Sequence, residues 1–202
     1  LLQALNRPKV GPLLHIRFFY GLAFATFQGV FSLYAQSIGL TSQTTGYVLA
    51  YVGLLSVITQ AGLIGMLTRR FRENWLIVTG LWVMMGALFA WAFTAQLWLL
   101  LVVILPLALS GGVLNTVVQS AISKSVSRDE VGGILGISGS LEAITRVIAP
   151  TLGGFLIQQV GRWAPGIFSA LIMIWVITFV YRRVVLPARR ERLTAEPEAA
   201  YE

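Results

Sequence analysis

The chain has 202 residues, of which 56% are hydrophobic and only 11% are charged. This composition is typical of membrane proteins and excludes an ordinary water-soluble domain, whose helices need a polar face. The net charge of +7 is concentrated in a few short segments, so we attribute it to membrane orientation and expect no nucleic-acid partner. With no cysteine and one histidine, the chain is expected to hold no metal and no cofactor.

Two long stretches of the sequence carry no Asp, Glu, Lys or Arg, one between Arg17 and Arg69 and one between Glu73 and Lys124. About 20 apolar residues cross a bilayer as a helix, so each stretch is long enough for two crossings. Segments such as 97–109 and 167–180 are apolar on all sides, which favours helices over the alternating pattern of a membrane barrel. We predict an all-α membrane protein with six transmembrane helices, at residues 14–36, 45–67, 74–94, 97–121, 132–158 and 163–185.

Thirteen of the 15 basic residues fall in segments that would lie on one side of the membrane. They are Arg7, Lys9, Arg17, Arg69, Arg70, Arg72, Lys124, Arg128, Arg182, Arg183, Arg189, Arg190 and Arg192. Basic residues favour the cytoplasmic side, so we predict a multi-pass protein of the inner or plasma membrane with both termini cytoplasmic. The predicted divisions are a cytoplasmic lead-in at 1–13, the six-helix bundle at 14–186 and a disordered cytoplasmic tail at 187–202.

The first predicted helix carries an aromatic stripe that includes Phe27 and Phe31, with Gln28 beside it. An aromatic face with a few polar groups suits a bulky lipophilic ligand, and it also suits a protein core or a lipid-facing surface. Further candidates for a substrate cavity lie on the second and fourth predicted helices. They are Tyr51, Asn115 and Gln119.

The fifth predicted helix carries the two charged residues that we place inside a membrane span, Glu142 and Arg146. They are four residues apart, so they share one helix face, and the acidic residue comes first, which is the favourable order. An ionisable residue near the bilayer centre costs at least ~2.5–3.5 kcal/mol on insertion scales, and such residues commonly mark ion or substrate paths. We predict a proton- or ion-coupling pair, with a static pair that fixes helix position as the alternative. Ser138 continues the same face and is a cavity candidate.

Small residues recur every fourth position on this helix at Gly132, Gly136 and Ser140, which predicts a close-packing seam. Pro150 removes a backbone hydrogen bond and is expected to bend the helix. A bent helix with a smooth seam suits rocking against a neighbour, and tight packing alone explains the pattern equally well.

The segment at 65–73 resembles the G-x-L-a-D-R-x-G-R-K loop of the major facilitator superfamily. It matches at Gly65, Leu67 and Arg70 and differs at Arg69, Arg72 and Glu73. The segment at 145–154 resembles the G-x-x-x-G-P-x-L-G-G signature of proton-coupled drug antiporters in that superfamily. It matches at Pro150, Leu152, Gly153 and Gly154, and it carries Thr145 and Ala149 in place of two glycines.

The resemblance implies the C-terminal six-helix half of a transporter in the drug:proton antiporter-like branch, and not an enzyme. The implied partners are an N-terminal six-helix half (earlier in the same chain or a separate protein), membrane lipids and a small-molecule substrate. In that fold the first, second, fourth and fifth helices would face a central cavity. The gating or hinge positions would be Gly65, Arg70, Pro150, Gly153 and Gly154.

The leading functional hypothesis is proton-coupled efflux of a lipophilic or amphipathic small molecule by alternating access. Glu142 would titrate or attract a cation, and Arg146 would tune it, so proton carriage would require the pair to break during the cycle. Two alternatives stay open. One is a non-transporting accessory or scaffold subunit of a larger membrane complex, and the other is a half-size transporter that dimerises.

Overall fold

The computed structural model describes Arg7 and residues 10–186, and the structural statements below concern those residues. Six helices within them are long and apolar enough to cross a membrane. They are α1 (Gly11–Ser37), α2 (Ser42–Arg70), α3 (Glu73–Ala92), α4 (Leu97–Lys124), α5 (Val131–Gln159) and α6 (Ala164–Val180). All six predicted helices are therefore present, with ends that differ from the predicted ones by a few residues. The predicted tail at 187–202 lies outside the described residues.

Local sequence explains how the first connection forms. Pro12 stands in the first turn of α1, where its missing N–H is not needed. Gly39 follows α1 with a φ of 83°, a left-handed conformation that favours glycine at the end of a helix. Thr41 then caps α2, because its side-chain oxygen accepts a hydrogen bond from the backbone N–H of Thr44 at 3.2 Å.

The helix ends meet at two opposite ends of the bundle. At one end Arg7 pairs with Glu130 at 2.9 Å, and Lys124 pairs with Glu73. We call this the basic end; it contains Arg7 and the α2–α3 and α4–α5 connections. At the other end the hydroxyl of Tyr34 donates to the backbone carbonyl of Trp91 at 3.0 Å. Successive helices therefore run in alternating directions between the two ends.

The core lies between α1, α3, α4 and α6, and aromatic rings from α1 form part of it. The indole of Trp91 is fully buried, with its ring centroid 4.9 Å from that of Phe27 and 4.7 Å from that of Tyr34. Phe31 is also fully buried, 5.4 Å from Phe27. Phe27 and Tyr34 therefore face α3, and Phe31 is buried beside Phe27. This corrects the prediction that Phe27 and Phe31 line a cavity.

Two helices are much less covered than the others. Only 17% of the apolar window of α2 and 22% of that of α5 is buried, against 50% for each of the other four. The large apolar side chains that these two helices leave exposed include Leu54, Val57, Ile58, Val147 and Phe155. Lipid or a further protein surface is needed to cover them.

The contact between α1 and α5 is the most extensive in the bundle, and small residues bring the two helices together. Gly29 lies against Pro150, and Gly153 lies against Val30. The predicted seam through Gly132 and Gly136 is not used within this bundle, since no described atom lies within 4 Å of a Cβ placed at either position. Gly132 and Gly136 lie 18 and 14 residues before Pro150, which places them about 27 and 21 Å closer to the start of α5 along the helix axis.

A methyl group on Gly153 is expected to destabilise the bundle. Its Cβ would lie 2.5 Å from Val30 Cγ1, a buried and β-branched side chain with little freedom to move. We expect Gly153→Ala to lower the free energy of unfolding by about 1–3 kcal/mol, as overpacked cores do. Thermal unfolding of the purified protein in detergent measures this.

Gly154→Ala is the matched control, because no described atom lies within 4 Å of a Cβ at that position. It should change stability by less than about 1 kcal/mol, the difference in helix propensity between glycine and alanine. Equal stability of the two variants would contradict the packing described for Gly153.

Candidate functional site

Charged and polar side chains from three helices meet in the interior of the bundle. Arg17 donates from Nη1 to Asn115 Oδ1 at 2.5 Å and to the hydroxyl of Tyr20. Its Nη2 donates to Glu142 Oε2 at 2.5 Å. The other oxygen of Glu142 accepts a hydrogen bond from Arg146 Nη2 at 2.6 Å. We call these five residues the arginine network; it places one carboxylate between two guanidinium groups.

Helical spacing explains the local half of the network. Arg17 and Tyr20 are three residues apart on α1, and Glu142 and Arg146 are four apart on α5, so each pair shares a helix face. The tight α1–α5 contact then brings the two pairs together. Asn115 lies on α4, and its side-chain oxygen is a neutral acceptor for Arg17.

Burial differs sharply along the network. The side chain of Arg17 is 7% exposed, that of Glu142 31% and that of Arg146 72%. The Nε atom of Arg17 is buried and has no hydrogen-bond partner among the described residues. The Arg17–Glu142 bridge is therefore the buried part of the network, where loss of one partner is most costly. Arg146 is the accessible part.

The position of Arg17 corrects two predictions from the sequence. The charge pattern groups Arg17 with the basic residues outside the membrane, and it places only Glu142 and Arg146 within the spans. The structure instead has Arg17 six residues after the start of α1, about 9 Å along the helix axis. The sequence does contain a signal for this position. Gly21, Phe24 and Gln28 follow Arg17 at helical spacing, so they share its helix face, and all four residues line the inner cavity described next.

An inner cavity of about 200 Å³ lies beside the network. Its lining comes from α1, α2, α4 and α5, as predicted for the helices that face a central cavity. Outside the network the side chains that line it are polar or small, apart from one aromatic ring. They include Phe24, Ala25, Gln28, Ser56, Gln60, Ala108 and Thr145. Gln60 lies in a π-helical turn, Thr59–Leu63, of the kind that often occurs at functional sites.

A second cavity, of about 540 Å³, lies between the network and the basic end. Its lining includes Gln119, Ser120 and Ser123 from the last turns of α4. Arg17, Asn115 and Glu142 line both cavities. The network therefore separates the two spaces.

The structure brings some of the predicted site residues together and places others elsewhere. Gln28 and Asn115 line the inner cavity, and Gln119 lines the second cavity. Ser138 is fully buried and donates to Gln119 at 3.4 Å. Tyr51 packs against the core and lies outside the described lining of both cavities. Sequence reasoning did not propose Arg17 or Ser56 as site residues, and both line the inner cavity.

The predicted gating and hinge positions are also spread out. Pro150 and Gly153 lie in the α1–α5 contact. At Gly65 and Gly154, no described atom lies within 4 Å of the place that a Cβ would take, and Arg70 is exposed near the basic end. Among the described residues there is no group of three or more His, Cys, Asp or Glu side chains that could hold a metal ion.

The profile of the Major Facilitator Superfamily matches residues 13–200. The chain belongs to the major facilitator superfamily. Among solved structures, the human organic anion transporter MFSD10 (TETRAN) has a TM-score of 0.76 at 18% identity, over 85% of this chain and 40% of that chain. This likeness supports the six-helix fold.

Curated superfamily relatives match at low identity. Solute carrier family 22 member 18 of Rattus norvegicus is 26% identical over 187 residues, which is 90% of this chain and 45% of that protein. Solute carrier family 67 member A1 of Homo sapiens is 30% identical over 76% of this chain and 36% of its own length. Tetracycline resistance protein, class H, of Pasteurella multocida is 32% identical over 69% and 34%. The chain thus spans less than half the length of these superfamily relatives.

Proposed function

We propose that the chain is the C-terminal half of a secondary active transporter that exports a lipophilic or amphipathic small molecule in exchange for protons, by alternating access. The observation that carries the proposal is the arginine network, which exposes Glu142 to two cavities inside a membrane-spanning bundle. An ionisable residue in such a place commonly lies on an ion or substrate path. The tetracycline resistance proteins among the relatives support efflux as the direction.

The exposed apolar surfaces of α2 and α5 indicate that a second helical bundle packs against this one. The apolar surfaces of α2 and α5 are mostly exposed in this six-helix unit, and the relatives are more than twice as long as the part that matches. We propose that an N-terminal six-helix half covers these surfaces and that the two halves rock against each other around the inner cavity. The basic end would face the cytoplasm, because basic residues favour that side. The protein would lie in the inner or plasma membrane.

The test is pH-driven transport by the complete encoded protein in proteoliposomes, with tetracycline and 1-naphthylacetate as probes. An imposed proton gradient should drive accumulation of at least one probe, and a protonophore should abolish it. If accumulation of the probes is the same with and without the proton gradient, and with and without the protonophore, proton coupling is excluded. Absence of any protein-dependent flux would favour the scaffold alternative, and full transport by this six-helix unit alone would favour the half-size dimer.

A further inference from the structure

We propose that the inner cavity selects amphipathic organic anions and that Arg146 determines this specificity; the inference rests on the proposed transport function and names its substrate class. The described lining of the inner cavity carries two guanidinium groups and one carboxylate, from Arg17, Arg146 and Glu142. The other lining residues are uncharged. The lining that this six-helix unit supplies therefore has a net charge of one positive unit, which attracts an anion and repels a cation.

The donors at the cavity fit a carboxylate. Arg146 makes one hydrogen bond among the described residues, through a single Nη atom, and is 72% exposed. Its remaining N–H groups can bind a planar anion with two parallel hydrogen bonds.

The acceptor side fits a cation poorly. Both oxygens of Glu142 already accept hydrogen bonds from guanidinium groups. A cationic substrate would have to displace a guanidinium to reach the carboxylate and would then lie beside two positive charges. The proposal differs here from the expectation from the sequence, in which Glu142 titrates or attracts a cation.

The apolar part of the cavity lining comes from α1 and α4. Phe24 contacts the backbone of α4 at Gly111, about 3 Å from a Cβ placed there, and Ala25 and Ala108 extend this surface. A ring system bound here would place its acidic group toward the network. The matching ligand is therefore an aromatic or alicyclic body with one carboxylate or similar anionic group.

Three probes with one ring system separate charge from shape. They are 1-naphthylacetate, its neutral amide 1-naphthylacetamide, and 1-naphthylmethylammonium. Binding to the complete encoded protein in detergent is measured by calorimetry or by quenching of tryptophan fluorescence. The native protein should bind the carboxylate about tenfold more tightly than the amide, and the ammonium more weakly still, since charge-assisted hydrogen bonds are about twice as strong as neutral ones.

The variants locate the preference. R146Q should bind the carboxylate and the amide equally, and R146K should keep part of the preference because it keeps the charge without the planar fork. R182Q is the matched control, since Arg182 is exposed and lies beyond the end of α6, away from the cavity. It should bind all three probes as the native protein does.

The proposal is overturned if the native protein binds the amide or the ammonium as tightly as the carboxylate, or fails to bind the carboxylate. It is also overturned if R146Q keeps the full preference. These binding measurements need no transport. If the protein prefers the carboxylate but shows no pH-driven flux, the anion site is supported and the proposed transport function is disproved.

Discussion

Replacing Glu142 with Gln is expected to reduce pH-driven transport by about tenfold or more, a change of ~1.4 kcal/mol or more in the activation free energy. The amide has nearly the shape of the carboxylate, and its oxygen can still accept a hydrogen bond, so the fold should persist. What it loses is the charge that holds Arg17 and Arg146 together and the ability to bind and release a proton. Initial rates of uptake into proteoliposomes under an imposed proton gradient measure the effect.

Glu130→Gln is the control for this prediction. Glu130 also forms a salt bridge with an arginine, but its side chain is 44% exposed and that of Arg7 is 47% exposed, at the basic end. Exposed ion pairs are screened by water and salt, so transport should stay near the native rate. Unchanged transport by Glu142→Gln would remove Glu142 from the coupling mechanism.

Replacing Arg17 with Met is expected to have the largest effect on stability. Methionine fills much of the space of the arginine stem but leaves the buried hydroxyl of Tyr20 and the exposed amide oxygen of Asn115 without their donor. Removing one partner of a buried pair costs ~3–5 kcal/mol; because Glu142 is about a third exposed and keeps Arg146, we expect about 2–3 kcal/mol here. Thermal unfolding in detergent, followed by circular dichroism, measures the loss.

Arg17→Lys separates charge from geometry. An ammonium keeps the positive charge but lacks the planar fork that reaches acceptors on α4 and α5 together, so stability should be recovered only in part. A double-mutant cycle of Arg17→Met with Glu142→Gln should give a coupling energy of about 1 kcal/mol or more, since the two side chains are in contact. Additive effects in that cycle, or native stability of Arg17→Met, would show that the network contributes nothing to the fold.

The six helices could be predicted from the sequence because the signals that specify them are local. Two long charge-free stretches account for four crossings, and the apolar segments at 132–158 and 163–185 account for two more. Clusters of arginine mark where the chain leaves the apolar region. The same local reasoning found Glu142 and Arg146, because a four-residue spacing places both on one face of a helix.

The sequence did not show which neighbour each helix face contacts. The aromatic stripe of α1 could serve a core, a lipid surface or a cavity, and only the position of Trp91 on α3 shows that Phe27 and Phe31 belong to the core. Likewise, Gly132 and Gly136 have the spacing of a packing seam, yet the close approach of α1 to α5 is at Pro150 and Gly153, further along the helix. Periodicity identifies a face, and the partner that covers it depends on packing between helices.

By itself, the sequence determined that this protein is a bundle of six membrane-spanning helices, with most of the basic residues in the described part of the chain at one end. Only the tertiary structure decided that Arg17 lies inside the bundle and joins the site. Its partners Asn115 and Glu142 are 98 and 125 residues away along the chain. No local pattern reports such distant pairings, because they form when packed helices leave a buried guanidinium in need of acceptors.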